Sequence, residues 1–206
     1  VVVDASGTNS ERIFPLFKQA ALTHPEVIGV AGAELGLGAE QGWSRQGWVH
    51  ENKLHEVYEY FVDNEFLNVL NMQLVAGRNF DPKFSMDTVN SVIINESMMQ
   101  HFGWTPETAL GQKLLGYYEN AEKPLPTVIG VVKNFNFLSL KEAVQPQQFH
   151  QFSDYTPFKY FVRIQAGDPA PVLAALGKEW KKLEPTLPLN YSFLDDTLNY
   201  FYQSEA

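Results

Sequence analysis

Apolar positions change their period several times along the chain, and the changes outline its elements. Val1–Ala5 is a short apolar run that predicts a buried strand, and Ser6–Asn9 supplies turn residues and N-cap candidates. Ile13, Phe14, Phe17, Ala20 and Ala21 then recur at helical spacing within Glu11–Thr23. Pro25 follows, and Val27–Ala33 predicts a second strand. A β-α-β unit of this kind implies parallel strands joined by a right-handed crossover. The Gly-rich stretch Leu35–Gly47 predicts a loop. Val57 and Phe61, set apart from Glu56 and Glu59, predict a long strand near Leu54–Val62.

The middle has a different texture. Asn64–Leu70 predicts a short helix, Val92–Ile94 a strand, and Glu96–Phe102 a helix capped by Asn95. Thr105-Pro106-Glu107 starts a further helix with Pro in its first turn, ended by Gly111. Thr127–Lys133 is an apolar strand containing Gly130, which points to close packing or a bulge. The last third repeats the opening: strand Tyr160–Ile164, helix Pro171–Leu183 with Asp168 as candidate cap, and strand Leu189–Phe193. Leu173, Leu176, Trp180 and Leu183 share one face of that helix. The expected fold is α+β: residues 1–62 plus 147–206 form a split part with two β-α-β units, and 63–146 form a smaller α+β insertion.

Composition narrows the functional classes. The 206 residues carry a formal net charge of −9, which argues against a nucleic-acid partner, because phosphate binding needs a basic face. The absence of cysteine excludes disulfides and thiolate metal sites. No apolar run approaches the roughly 18 residues that span a bilayer. The chain opens on Val1-Val2-Val3-Asp4 with no initiator Met and no signal-peptide pattern, as a piece cut from a longer protein would.

Catalytic signatures are missing. There is no P-loop, H-E-x-x-H, EF-hand loop or G-x-S-x-G. The five histidines, at 24, 50, 55, 101 and 150, show no metal-ligand spacing. Gly36, Gly38 and Gly42 lack dinucleotide-loop spacing, and Trp43-Ser44-Arg45 does not open a helix, so a surface loop is expected. Its Trp43, with Trp48, could form an aromatic lip for a ligand. Asp195-Asp196 are adjacent, which suits capping of a following helix better than paired acid–base work. The expectation is no catalytic residue, no cofactor and no metal.

Four segments together resemble a known family. Phe66-Leu67-Asn68 runs through Leu74-Val75-Ala76 to Gly77-Arg78-Asn79-Phe80, similar to a short helix leading to G-R-x-F. Val92-Ile93-Ile94-Asn95-Glu96 resembles a strand followed by N-E. Phe102-Gly103-Trp104 and Ala109-Leu110-Gly111-Gln112-Lys113-Leu114 follow in the family order. Val128-Ile129-Gly130-Val131-Val132-Lys133-Asn134-Phe135-Asn136-Phe137-Leu138-Ser139-Leu140, ending at Pro146, is similar to V-I-G-V-V-x-D-F-x-F-x-S-L…P. In this order the segments resemble the MacB-like periplasmic core domain of FtsX-like ABC-transporter permeases, of the Bacteroidetes type with two such domains. Asn134 and Asn136 depart from the pattern, standing where Asp and His are common.

The resemblance implies a porter-like split part with a sabre-like insertion, on the extracytoplasmic (periplasmic) face of the bacterial inner membrane. It implies mechanotransmission: relay of ATP-driven motion for export or envelope processes. The implied partners are the transmembrane helices of the permease, its cytoplasmic ATPase indirectly, and a second permease copy or envelope proteins. The competing readings are a stand-alone peptide- or glycan-binding module and a hydrolase using facing Asp and Glu. Period-two alternation further predicts that Phe135 and Phe137 are buried and that Asn134 and Asn136 are not both buried. Leu198, Phe201 and Tyr202 predict a short helix over Thr197–Ala206, capped by Asp195 or Asp196 and continuing toward the membrane.

Overall fold

A computed structural model describes residues 1–37, 45–116, 124–135, 143–151 and 156–196. The elements run β1 (Val2–Asp4), α1 (Ser10–Ala21), β2 (Val27–Ala33), β3 (Arg45–His50), β4 (Lys53–Val62), α2 (Phe66–Val69) and β5 (Leu74–Gly77). Then follow β6 (Ser91–Asn95), α3 (Glu96–His101), α4 (Pro106–Ala109), β7 (Leu115–Gly116), β8 (Thr127–Val132) and β9 (Gln147–Gln151). The last three are β10 (Lys159–Ile164), α5 (Ala170–Leu183) and β11 (Asn190–Ser192). The fold is α+β, as expected.

Both β-α-β units form, but they interlock. β10 lies between β1 and β2, antiparallel to each, and β1 lies between β10 and β11. The paired strands of each unit are therefore parallel without touching, and every ladder in this half is antiparallel. This is the split β-α-β arrangement, in which each crossover leaves room for the other unit's strand. Asn9 caps α1 by accepting from the Arg12 N–H, and Ile13, Phe17 and Ala21 point inward at i, i+4, i+8. On α5 the buried face is Val172, Leu176 and Trp180. Asp168 accepts from the Ala170 N–H at 3.0 Å, so it does serve the start of α5, although Pro169 is the cap residue. The two faces close over Val3, Val30, Tyr160 and Val162 as one core.

The remaining strands extend this sheet in the order β11-β1-β10-β2-β4-β9-β6-β8-β5, with β3 on β4 and β7 on β3. The ladder crosses the expected division between the two parts where β9 of the split part meets β6 of the insertion. β4 pairs with β9 over five positions, and β9 pairs with β6 through Ile94↔Gln148, Ile93↔Phe149 and Val92↔His150. Among the described residues, the strands of the 63–146 segment thus join this sheet rather than form a separate one. The thin place lies elsewhere: β2 meets β4 at a single registered pair, Ala33↔Val62. Two further bonds close it, Asp63 N–H to the Gly32 carbonyl at 2.9 Å and Glu34 N–H to the Phe61 carbonyl at 3.0 Å.

Part of the expected loop is also a strand. β3 and β4 form a hairpin whose two-residue turn, Glu51-Asn52, has φ of 50° and 61°. Positive φ at both positions is the type I′ geometry that matches strand twist, and Asn tolerates it. Gly77, with φ of 74°, and Gly130 face each other across β5 and β8. A Cβ on Gly77 would sit 2.2 Å from the Ile129 carbonyl oxygen, and one on Gly130 would sit 2.5 Å from that of Arg78. The register against β6 also shifts by one residue just before Gly130, so close approach and bulge coincide there.

Candidate functional site

The family-like segments meet in space. Asn95 is fully buried and makes four hydrogen bonds. Its Oδ1 accepts from the N–H of Met98 (2.8 Å), capping α3, and from that of Gln147 (2.9 Å). Its Nδ2 donates to the Gln145 carbonyl (2.9 Å) and to Gln147 Oε1 (3.3 Å). Glu96 Oε2 accepts from the Asn134 N–H (2.9 Å), and Asn134 Oδ1 accepts from the Ser97 N–H (2.9 Å). Asn134 therefore supplies the helix-start contact that Asp would, without a charge. It is exposed, which satisfies the expectation that Asn134 and Asn136 are not both buried. Phe135 is half-buried against the central core, while Asn136 and Phe137 lie outside the described residues.

The G-R-x-F residues have equally specific jobs. Arg78 donates twice to Asp87, at 2.6 and 2.8 Å, and the Asp87 carboxylate is wholly covered. Burial would push that carboxyl up, but bonds from Arg78, the Asp81 N–H and the Ser91 hydroxyl prevail and hold it below its ordinary value. The Arg78 guanidinium also lies 4.3 Å from the Phe84 ring centroid, and Phe80 enters the core.

A second set of contacts spans the β2–β4 seam. Phe66, on α2, packs edge-on to Phe161 of β10 at 5.2 Å and against Phe149 of β9 at 6.3 Å. Asp63, at the end of β4, pairs with Lys18 of α1 at 2.8 Å, and its Oδ1 accepts from the Glu65 N–H. Burial pushes the Asp63 carboxyl up, and Lys18 with the surrounding N–H groups offsets this only in part. Sequence reading placed a crossing near Asp63 but found neither partner, since Lys18 and Phe161 are far off in the chain.

At one end of the sheet a cleft of about 530 Å³ is lined by Val1, Phe135, Phe161, Phe193 and Asp195, among others. β1 and β11 run antiparallel with Val2 opposite Ser192, so the chain enters and leaves this end side by side. Leu194–Asp196 are already helical. Asp195 and Asp196 therefore sit inside the first turn rather than at the cap position, where their charge still suits the positive helix end. Thr197–Ala206 lie outside the described residues.

Trp48 does not sit at an exposed lip. Trp48 is buried, with its Nε1 donating to Gln148 Oε1 at 2.6 Å, while Trp43 lies outside the described residues. Among the described residues no group of three or more His, Asp or Glu is placed to hold a metal, and no helix is long and apolar enough to cross a membrane.

Three solved structures share this architecture over nearly the whole chain. The periplasmic region of MacB from Actinobacillus actinomycetemcomitans superposes with a TM-score of 0.64 at 14% identity, covering 98% of this chain and 91% of that one. This chain has the MacB periplasmic fold. The extracellular domain of the noncanonic ABC-type transporter YknZ from Gram-positive bacteria gives 0.60 at 12% identity, covering 90% and 91%. A domain assigned to a permease protein from Porphyromonas gingivalis gives 0.57 at 17%, covering 96% and 86%. No family model and no curated protein matches the chain.

Proposed function

We propose that the chain is the extracytoplasmic domain of an ABC-transporter permease, on the periplasmic face of the bacterial inner membrane. It has no catalytic centre, cofactor or metal of its own, and relays motion driven by a cytoplasmic ATPase. The carrying observation is the shared MacB-type fold combined with the side-by-side start of β1 and end of β11 at one end of the sheet. A domain set between two membrane spans needs that arrangement. In this reading the molecule works as two parts, a porter-like part around α1 and α5 and a sabre-like part around β6 and β8. Their meeting place is the one-pair seam of β2 and β4, with Phe66 and the Lys18–Asp63 pair crossing it. The implied partners are the transmembrane helices of the same permease and, through them, the ATPase.

This domain contributes no cysteine of its own to the test. Ala33→Cys with Val62→Cys places two thiols on registered antiparallel partners, whose Cα separation of roughly 4.5–5.5 Å admits a disulfide. In the membrane-embedded permease the oxidised pair is expected to abolish ATP-coupled transport, and reductant to restore it. Normal transport by the fully oxidised protein would refute relay across this seam. Labelling of Ser192→Cys by a membrane-impermeant reagent from the periplasmic side tests the location independently.

A further inference from the structure

Three of the five histidines, distant in sequence, gather at the tip of the β3–β4 hairpin. His50 and His55 flank the Glu51-Asn52 turn, and His101 ends α3. His55 Nδ1 lies 2.8 Å from His101 Nε2, with the rings at 86°. Phe102 sits among them, its ring 5.1 Å from His50, 5.0 Å from His55 and 4.9 Å from Trp104. Together they line a pocket of about 400 Å³.

We infer that the His55–His101 hydrogen bond is a pH-sensitive latch holding the hairpin tip on the end of α3. A bond between two imidazoles needs one ring to donate and the other to accept, so at least one must be neutral. Protonating both leaves two donors facing each other at contact distance and turns attraction into repulsion. Histidine is the side chain type whose ordinary charge change lies between pH 5 and 8. The other groups at the pocket do not compensate. The hairpin contributes Glu51 and Lys53, whose charges oppose each other, and His50, which adds a third cation on acidification; α3 contributes the uncharged Gln100. Trp48, opposite His55, is buried, and β7 pairs at Trp48 and Val49, so these hold the hairpin just below its turn and acid releases only the turn end beyond them. The latch acts on the β3–β4 hairpin, outside the half that carries α1 and α5, and it stands independently of the relay reading.

The test is amide exchange of residues 50–55, corrected for intrinsic rates, at pH 8 and pH 5, in the wild type and in His101→Gln. Glutamine can still hydrogen-bond His55 but carries no charge. The wild-type tip is expected to lose about fivefold in protection on acidification, the size of one net hydrogen bond. The loss should be smaller in His101→Gln, and the amides of α5 should be unaffected in both. An equal acid-induced loss in His101→Gln, or no loss in the wild type, overturns the latch. A His55→Gln variant gives the same reading from the other side of the bond, should His101→Gln fold poorly.

Discussion

In the half built from β11, β1, β10 and β2, the helices α1 and α5 bury a continuous apolar face. Phe17, Tyr160 and Trp180 meet there with ring centroids 5.5–6.3 Å apart. In the other half the sheet also covers apolar cores, and it is tied at its centre by buried polar side chains. Gln148 is fully buried between Trp48 and Glu59, Gln147 is bonded to Asn95, and Asp87 is covered beside Arg78. The first half tolerates any filling of the right volume and shape. The second depends on partners, because a buried polar group left without one costs about 1–3 kcal/mol. The first is suited to act as a stiff base, whereas the second has contacts that can be broken and remade singly.

The largest effect expected from breaking this contrast is in the base. Trp180→Ala removes a ring 1% exposed that also donates to the Leu187 carbonyl at 2.9 Å, and should cost about 3–5 kcal/mol in a denaturant melt. Trp180→Phe keeps most of the volume and should cost clearly less. In the other half Asn95→Ala strands the Gln147 side chain and N–H and uncaps α3, with an expected loss of about 2–4 kcal/mol. Asn95→Leu, which keeps the branched shape but loses the hydrogen bonds, should be no better than Asn95→Ala. If Leu rescued stability, the far half would be held by packing like the base, and the contrast would collapse.

The same contrast explains what the sequence disclosed. Elements of the base follow from periodicity: Ile13, Phe17 and Ala21 mark a helix face whatever the partner, and β1, β2 and β10 are plain apolar runs. What periodicity could not show is that β10 would insert between β1 and β2. In the far half, β9 carries Gln147, Gln148, His150 and Gln151 around Phe149, so nothing in its pattern marks a strand between β4 and β6. Gln147 meets Asn95 and Gln148 meets Trp48 and Glu59, and such pairings are invisible to a period. The hairpin was missed because its turn uses Glu51-Asn52 rather than a glycine pair. Motif order did find Gly77, Asn95–Glu96 and Gly130, but not that Asn134 completes the start of α3, nor that His55 would meet His101.

A smaller effect tests the two buried aspartates against each other. The Asp87 carboxyl is held below its ordinary value, so its stabilisation is present above the unfolded pKa and is lost as pH falls through the folded one. The Asp63 carboxyl is raised, so its contribution is full below the unfolded pKa and is lost as pH rises through the folded value. Between pH 7 and pH 3, the wild type's advantage over Asp87→Asn should shrink. Its standing against Asp63→Asn should improve over the same interval. Thermal melts of the three proteins at both pH values decide this, because groups shared by all of them cancel in the differences. Shifts of equal sign would mean that Lys18 dominates Asp63 as Arg78 dominates Asp87, and that the seam pair is a fixed structural bridge.

The smallest expected effect concerns Asn134, where the chain departs from the family pattern. Its Oδ1 receives the Ser97 N–H while its own N–H reaches Glu96, so side chain and backbone serve α3 in opposite directions. Asn134→Ala removes only the first of these bonds at an exposed site and should cost about 1 kcal/mol, the usual value of a helix-start acceptor. Asn134→Asp keeps the acceptor and adds a negative charge. That charge is favourable toward the helix N-terminus but faces the Glu96 carboxylate, which already occupies the neighbouring N–H. The two terms oppose each other at similar size, so Asn134→Asp should lie within about 0.5 kcal/mol of the wild type at low salt. Added salt screens the repulsion and the dipole alike and should leave this difference nearly unchanged. In Asn134→Asp with Glu96→Gln the repulsion is gone, and the aspartate should then exceed the wild-type asparagine in stability. If the double variant is no more stable than Asn134→Asp, Glu96 is not what makes asparagine acceptable at this position.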